Sequence, residues 1–143
     1  MSKTIYKTAY SFQDLEVYQR LYQSMLQVMT EIIPKLPKEE KFDLVDQLRR
    51  SCKAPPALIA EGYAKKNYQK DWQKYLNDAI GECNEIIVHL SCCKDIYNKY
   101  VDTTLCQKLI ESYTISGKQL FCLAQSWKNK SDRLTTKNQQ HDP

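Results

Sequence analysis

The chain contains few of the residues that make tight turns. Glycine occurs only three times and proline only five times in 143 residues. The glycines, Gly62, Gly81 and Gly117, all lie inside segments whose apolar residues have helical spacing. A β-rich domain would need many more turn residues between its strands. The sequence therefore predicts an all-α protein.

Long apolar runs are also missing. No segment approaches the roughly 20 consecutive apolar residues that a membrane-spanning helix requires. The beginning of the chain, Met1-Ser-Lys-Thr-Ile-Tyr-Lys7, does not resemble the apolar stretch of a signal peptide. We expect a single-domain, soluble, cytoplasmic protein that does not interact with membranes.

The sequence patterns of catalytic and metal sites are absent. The chain has two histidines, His89 and His141, and no nucleophile elbow, glycine-rich phosphate loop or Glu-x-x-His motif. Its six cysteines lack the paired C-x-x-C spacing of a zinc site. Four of them fall on expected core positions, where a thiol acts as a small apolar group: Cys52, Cys83, Cys93 and Cys106. We predict that the protein is not an enzyme and binds no metal or cofactor.

The sequence does have four segments in which apolar residues recur at helical spacing. These segments cover about 11–33, 38–66, 71–99 and 103–127. Short connections between long amphipathic helices favour antiparallel neighbours. We predict an antiparallel up-down-up-down four-helix bundle over residues 11–128. A flexible N-terminal segment (1–10) is expected before it, and a disordered polar tail (129–143) after it.

Each predicted helix has an apolar stripe that indicates its core face. In the first helix the stripe consists of Leu15, Tyr18, Tyr22, Met25, Met29 and Ile32. In the third helix it consists of Trp72, Leu76, Ala79, Cys83, Ile86, Leu90, Cys93, Tyr97 and Tyr100. Further apolar residues lie outside these stripes, and exposed apolar patches usually mark association surfaces. We therefore expect a homo-oligomer, with a wide-cored monomer as the alternative.

The second predicted helix contains two adjacent prolines, Pro55 and Pro56. Proline in a helix interior removes a backbone donor and clashes with the preceding turn, at a cost of about 3 kcal/mol. Either one helix is kinked at this point, or a new helix begins with Pro55 in its first turn. Both interpretations place an irregularity beside a cluster of basic residues.

Basic residues are concentrated in and around this second helix. Residues 35–74 contain ten lysines or arginines and six acids, and the difference of four equals the net charge of the whole chain. Clustered cations can bind phosphates in a salt-sensitive and sequence-independent way. The predicted nucleic-acid-binding residues are Arg49, Arg50, Lys53, Lys65, Lys66 and Lys70.

Three aromatic residues near these cations, Tyr63, Tyr68 and Trp72, have side chains that can stack on unpaired bases. The alternative is that the aromatics belong to the core and the lysines form a solvated face. The position of Trp72 on the apolar stripe favours the core for that residue. Salt bridges between subunits would equally explain Arg49 and Arg50.

Four short segments together resemble one known family. They are Phe12-Gln-Asp-Leu-Glu-Val-Tyr-Gln19, Gln47-Leu-Arg-Arg50, Ile59-Ala-Glu-Gly62 and Ala79-x-Gly81-x-x-x-Glu85. In this combination the chain resembles the four helix bundle protein family, first noticed as products of intervening sequences in large-subunit ribosomal RNA genes. The resemblance covers roughly residues 11–125.

Members of that family are similar in fold to the accessory variability determinant of diversity-generating retroelements. That accessory protein assembles as a ring of five and binds nucleic acid together with a reverse transcriptase. The resemblance therefore implies a homopentameric barrel, a role in binding RNA or DNA, and a reverse transcriptase as a partner. It does not imply catalysis. A second hypothesis remains open, in which the chain is a self-assembling scaffold that binds another protein without nucleic acid.

Overall fold

The computed structural model describes residues 11–140, with side chains described over residues 11–130. Its four long helices are α1 (Glu16–Gln27), α2 (Leu44–Tyr63), α3 (Gln69–Ile96) and α4 (Thr103–Gln140). The remaining regular elements of residues 11–140 are short helical turns, so the described chain contains no strand. The predicted all-α class is confirmed. The expected flexible segment 1–10 and residues 141–143 lie outside the described residues.

The helices run alternately up and down. At one end of the α3–α4 pair, Lys94 Nζ donates to Gln107 Oε1 at 2.9 Å. At the other end, Gln73 Nε2 donates to the Ala124 carbonyl at 2.8 Å. The α3 residue number falls as the α4 number rises, so these two helices are antiparallel. α3 also packs extensively against α2, and α1 contacts both α2 and α4. The predicted four-helix bundle is confirmed.

The first helix is bent. α1 is followed directly by a π-helical turn (Val28–Ile32) and a 3-10 turn (Ile33–Lys35). A π-turn contains one residue more than an α-turn, so it rotates the side chains that follow it relative to those before it. Pro34 lies in the 3-10 turn that ends this first helical segment. The bend was not foreseen in the sequence.

The core face of α1 differs from the predicted stripe. The buried side chains are Val17, Leu21, Ser24, Val28 and Ile32. Of the predicted stripe, Tyr22 is 41% exposed, whereas Leu15, Tyr18, Met25 and Met29 are partly buried at the edge of the core. The Ser24 hydroxyl lies 3.0 Å from the Ser112 hydroxyl of α4, and this hydrogen bond allows a polar residue to occupy a core position. The buried stripe is therefore displaced by one residue from the predicted one over α1, and the two coincide at Ile32 after the π-helical turn.

α2 runs without interruption across both prolines, and Pro55 and Pro56 are buried. Of the two expected alternatives, the structure agrees with one helix passing through the prolines and not with a new helix that begins there. Because a proline has no N–H, the carbonyls of Ser51 and Cys52 receive no donor from the residue four positions on. The predicted core residues Leu48, Cys52 and Ile59 are fully buried around the proline pair.

The stripe predicted for α3 is confirmed over most of its length. Its members from Trp72 to Cys93 are all fully buried. The stripe ends earlier than expected, because α3 stops at Ile96 and Tyr100 lies in the following turn with more than half of its surface exposed. The four cysteines expected in the core are also buried.

α4 is longer than the sequence pattern suggested. It continues to Gln140, so residues 129–140, which were expected to be part of a disordered tail, are helical in the structure. The segment from Lys118 to Gln140 contains neither glycine nor proline, so no residue in it breaks the helix. Because residues 129–140 are polar and have no apolar periodicity, the sequence pattern predicts a helix that ends earlier.

Candidate nucleic-acid interface

The structure divides the six predicted nucleic-acid-binding residues into two groups. The mid-helix group, Arg49, Arg50 and Lys53, lies in the middle of α2 and is exposed. The turn group, Lys65, Lys66 and Lys70, lies at the connection between α2 and α3. Lys65, the first member of the second group, follows Lys53, the last member of the first, by twelve positions, which is roughly 18 Å along a helix. The two groups therefore do not form one patch.

The charge of Arg50 is compensated by neighbouring carboxylates. Its guanidinium forms an ion pair with Asp46 one turn earlier, with an N–O distance of 2.5 Å. This hydrogen bond and the Asp46 charge raise the pKa of Arg50. Arg50 also lines a cleft of about 410 Å³ together with Glu82 and Glu85 of α3. Three acids surround one cation there, so the cleft does not attract phosphate.

Glu82 shows that this cleft is crowded with negative charge. Partial burial and the neighbouring Glu85 raise the pKa of Glu82 above its ordinary value. His89 lies one turn further along α3, with its Nε2 atom 3.4 Å from Glu85 Oε1. The other two cations of the mid-helix group differ from Arg50, since within residues 11–130 no acid forms an ion pair with Arg49 or Lys53.

The core beneath the mid-helix group has no reactive thiol. The Cys52 thiol is fully buried and donates to the Arg49 carbonyl at 3.6 Å. Burial raises the pKa of Cys52 to about 11 and that of Cys83 to about 12. Because the thiolate is the nucleophilic form, both thiols are protonated and unreactive at neutral pH.

The turn group is supported by a close approach of α2 and α3. An added Cβ atom at Gly62 would lie 2.5 Å from Tyr75 Cβ and 2.9 Å from Trp72 Cε3. Glycine is therefore required here, because any side chain would push the two helices apart. Trp72 is fully buried and packs edge-on against Tyr63 and Trp127, with ring centroids 6.1 and 6.3 Å away. The core position expected for Trp72 is confirmed.

Two lysines of the turn group rest on aromatic side chains. Lys65 Nζ donates to the Tyr75 hydroxyl at 3.2 Å and lies 5.2 Å from the centre of that ring. Lys66 Nζ lies 4.1 Å from the centre of the Tyr63 ring. The hydrogen bond with Tyr75 raises the pKa of Lys65, so this lysine is charged at neutral pH. Cation–π contacts of this kind hold the ammonium groups in place while leaving them able to meet an anion.

A groove between α3 and α4 continues from the turn group. It has a volume of about 680 Å³ and is lined by Gln69, Lys70, Gln73, Lys74, Asn77, Asp78 and Lys128. Lys74 and Lys128 were not among the predicted site residues. Lys74 follows Lys70 by one helical turn, a spacing that would have revealed it. Lys128 comes from the other helix of the pair, so only the fold brings it to this groove.

The exposed aromatic residue at this end is Tyr68. It is 69% exposed and directly precedes Gln69, the first residue of α3. Of the three aromatics considered for base stacking, Tyr68 is thus the one with a free face, whereas Trp72 is in the core and Tyr63 is partly buried beneath Lys66. The turn group and the groove together carry more lysines than acids: Lys65, Lys66, Lys70, Lys74 and Lys128 against Glu61, Asp71 and Asp78.

Several large apolar side chains are exposed elsewhere. Phe42, just before α2, is 87% exposed, and its ring borders the cleft that contains Arg50. The others are Tyr22, Leu26, Val88, Ile96, Tyr100, Ile115 and Phe121. They are distributed over α1, α3, α4 and the α3–α4 turn.

The described residues offer no metal centre and no membrane span. Among residues 11–130, no three or more His, Cys, Asp or Glu side chains are grouped in a way that could hold a metal ion. In the part of the chain that the structure describes, no helix combines the length and the apolar character needed to cross a membrane.

Comparison with known proteins identifies the family. A search of curated proteins found no match. A family model described as 23S rRNA-intervening sequence protein matches residues 13–121. These residues are well over half of the chain, and they extend from the turn before α1 to the middle of α4. The resemblance noted in the sequence is thereby confirmed, and the chain belongs to the 23S rRNA-intervening sequence protein family.

Proposed function

We propose that this chain is a non-enzymatic accessory protein that binds RNA or DNA through the turn group and the adjoining groove. The observation that supports this function best is the collection of five lysines at one end of the bundle, drawn from the α2–α3 turn, α3 and α4. The family description refers to an intervening sequence of 23S rRNA, which is consistent with an RNA-related role in the cytoplasm.

The proposal includes self-association and a protein partner. Eight exposed aromatic or aliphatic side chains, besides Tyr68, provide apolar surface for contacts between copies. The assembly that the family resemblance implies is a pentameric ring, and the partner that it implies is a reverse transcriptase of a diversity-generating retroelement. A ring would bring the lysine-rich ends of several copies together and so increase the positive electrostatic potential around them. Light scattering of the purified protein gives the number of copies.

The turn group is a better candidate than the mid-helix group for phosphate contacts. Lys65 and Lys66 are held by aromatic rings, and within residues 11–130 neither forms an ion pair with an acid. Arg50, by contrast, shares its surroundings with Asp46, Glu82 and Glu85. We therefore assign the main contacts to Lys65, Lys66 and Lys70, and an auxiliary role to Arg49 and Lys53.

The test is a salt titration of RNA binding. The purified full chain is mixed with a fluorescently labelled structured RNA and, separately, with an RNA–DNA hybrid, and fluorescence anisotropy is recorded. Three phosphate contacts predict that the affinity falls about 20- to 40-fold between roughly 50 and 200 mM salt. If the protein binds neither nucleic acid at the lower salt concentration, the proposed function is rejected.

The second candidate is a self-assembling scaffold that binds another protein. Phe42 favours it, because a phenylalanine that is almost fully exposed beside a charged cleft is typical of an anchor for a protein partner. A pull-down after nuclease treatment distinguishes the two functions. Capture of one defined protein that is lost in a Phe42→Ala variant would favour the scaffold, whereas loss of all partners with the nuclease would favour nucleic-acid binding.

A further inference from the structure

We propose that the groove between α3 and α4 binds a single-stranded stretch of nucleic acid, with phosphates on its lysines and an unpaired base on Tyr68. This inference rests on the proposed function and specifies the form of nucleic acid that the lysine-rich end accepts. It assigns specific contacts to Lys74, Lys128 and Tyr68 and gives the groove a role distinct from that of the turn group.

The charge of the groove favours an anion. Lys70, Lys74 and Lys128 are exposed, and Asp78 is the one acid among the seven lining residues. Within residues 11–130, none of these three lysines takes part in an ion pair. Lys70 and Lys74 are separated by one helical turn, so their ammonium groups lie side by side along α3. Lys128 faces them from α4, and a phosphate chain in the groove would have cations on both sides.

The amide side chains of the groove are suited to hydrogen bonds with the edges of unpaired bases. Gln69, Gln73 and Asn77 contribute both donors and acceptors, as the Watson–Crick edges of unpaired bases require. Gln73 Nε2 is already used by the Ala124 carbonyl, which fixes the side chain and leaves its oxygen as an acceptor. The Gln69 amide nitrogen is buried and has no hydrogen-bond partner among the described residues, so one donor of this side chain is unsatisfied in the structure.

The size of the groove selects against a double helix. Its volume of about 680 Å³ is in the range of pockets that hold small ligands, and it accommodates one or two nucleotides. In an A-form duplex the Watson–Crick edges are engaged in base pairs, so the amides of the groove could not bind them. Tyr68, with 69% of its surface exposed at the start of α3, offers a ring face on which any unpaired base can stack.

Two variants of the full chain test this role. Lys74→Glu/Lys128→Glu reverses two groove charges, and Tyr68→Ala removes the stacking ring. The matched control is Lys108→Glu/Lys118→Glu, which makes the same charge change at two exposed positions of α4 outside the groove. The probes are a labelled oligouridine, which is single-stranded, and a labelled RNA hairpin stem. Circular dichroism and thermal unfolding establish that each variant is folded.

For oligouridine, Lys74→Glu/Lys128→Glu is expected to weaken binding at least tenfold and to lower the magnitude of the salt slope by about 1.4, that is, about 0.7 for each phosphate that the protein no longer neutralises. Tyr68→Ala is expected to weaken binding by about tenfold without changing the slope. The control is expected to change the affinity by less than about threefold, since charges beyond a Debye length are screened.

The outcomes separate this inference from the proposed function. If the wild-type chain binds the hairpin but not oligouridine, the proposed function stands and the single-strand groove is rejected. The groove assignment is also rejected if oligouridine binds equally to the wild type and to Lys74→Glu/Lys128→Glu. It is rejected as well if the control variant loses as much affinity for oligouridine as the groove variant does. If the wild type binds neither probe, the proposed function fails and the groove assignment fails with it.

Discussion

The mid-helix group of α2 and the turn group at the α2–α3 connection look alike in the sequence and differ in the fold. In the mid-helix group, Arg50 is matched by Asp46 on its own helix and faces Glu82 and Glu85 of α3. In the turn group, Lys65 and Lys66 have aromatic rings as their neighbours. The same kind of charge is thus compensated at one place and available at the other. A cluster of cations along a chain becomes a positive surface only where the cations outnumber the acids of the packed neighbours.

The supporting structure of the two groups also differs. The mid-helix group lies above buried prolines and a buried thiol, on a stretch of helix that is fixed by its own core face. The turn group lies where α2 and α3 come into direct contact through Gly62. Its lysines are therefore positioned by one close contact between helices, and a change at that contact affects both stability and the binding surface.

The largest expected effect comes from reversing the charges of each group. Lys65→Glu/Lys66→Glu/Lys70→Glu is expected to reduce RNA affinity by about 100-fold or more at low salt, because three phosphate contacts become repulsive. Arg49→Glu/Arg50→Glu/Lys53→Glu, with the same change in net charge, is expected to reduce it by less than about tenfold, since acids already compensate part of that charge. Fluorescence anisotropy with one labelled RNA measures both.

If the two triple variants lose the same amount of RNA affinity, net charge alone determines binding and the distinction between the two groups is wrong. A larger loss in the mid-helix variant would reverse the assignment. Both variants change exposed or half-buried side chains, and their helical content is checked by circular dichroism before the affinities are compared.

A smaller but measurable effect, on thermal stability, is expected when glycines are replaced by alanine. Gly62→Ala places a methyl group within 2.5 Å of Tyr75 Cβ, and such overpacking costs about 1–3 kcal/mol, which corresponds to a Tm lower by about 3–10 °C. Gly81→Ala is the matched control, because an added Cβ there meets no atom within 4 Å. Alanine stabilises a helix interior by about 0.5–1 kcal/mol relative to glycine, so its Tm should rise by a few degrees. A Gly62→Ala chain as stable as the wild type would contradict the close contact.

The smallest expected effect concerns the hydrogen bond between Lys65 and Tyr75. Tyr75→Phe keeps the ring and removes the hydroxyl, so the pKa of Lys65 should fall toward its ordinary value. Since the folded-state pKa is raised, the stability that this hydrogen bond contributes is fully present at neutral pH and disappears as the pH rises through the pKa of Lys65. NMR titration of the lysine Nζ signal measures the shift, and RNA affinity should change by less than about threefold. An unchanged pKa would show that the hydroxyl does not act on Lys65.

The fold was predictable from the sequence where apolar spacing is regular. The stripe of α3 from Trp72 to Cys93 is buried as expected, because each step of three or four keeps a residue on one face. In α1 two neighbouring stripes have helical spacing, and the one with the larger side chains is the stripe that the sequence predicts to be buried. The buried face instead includes Ser24, whose partner Ser112 is on α4. A partner distant in the chain cannot be inferred from the periodicity of one helix.

The candidate site was predictable only where its residues are close together in the chain. The lysines of the α2–α3 turn are close in the chain, so their clustering could be read directly. The compensation of Arg50 by Glu82 and Glu85 and the approach of Lys128 to Lys70 depend on neighbouring helices. Composition also failed to predict the end of α4. A polar helix without an apolar stripe has the same composition as a disordered tail, so the sequence does not distinguish the two.

The length of α4 has a consequence for anything that approaches the lysine-rich end. Gln73 of α3 is joined to Ala124 of α4, so residues 129–140 extend past the level at which α3 begins. At 1.5 Å per residue this projecting rod measures about 18 Å. The rod begins directly after Lys128, so a strand that leaves the groove at this end would run alongside it.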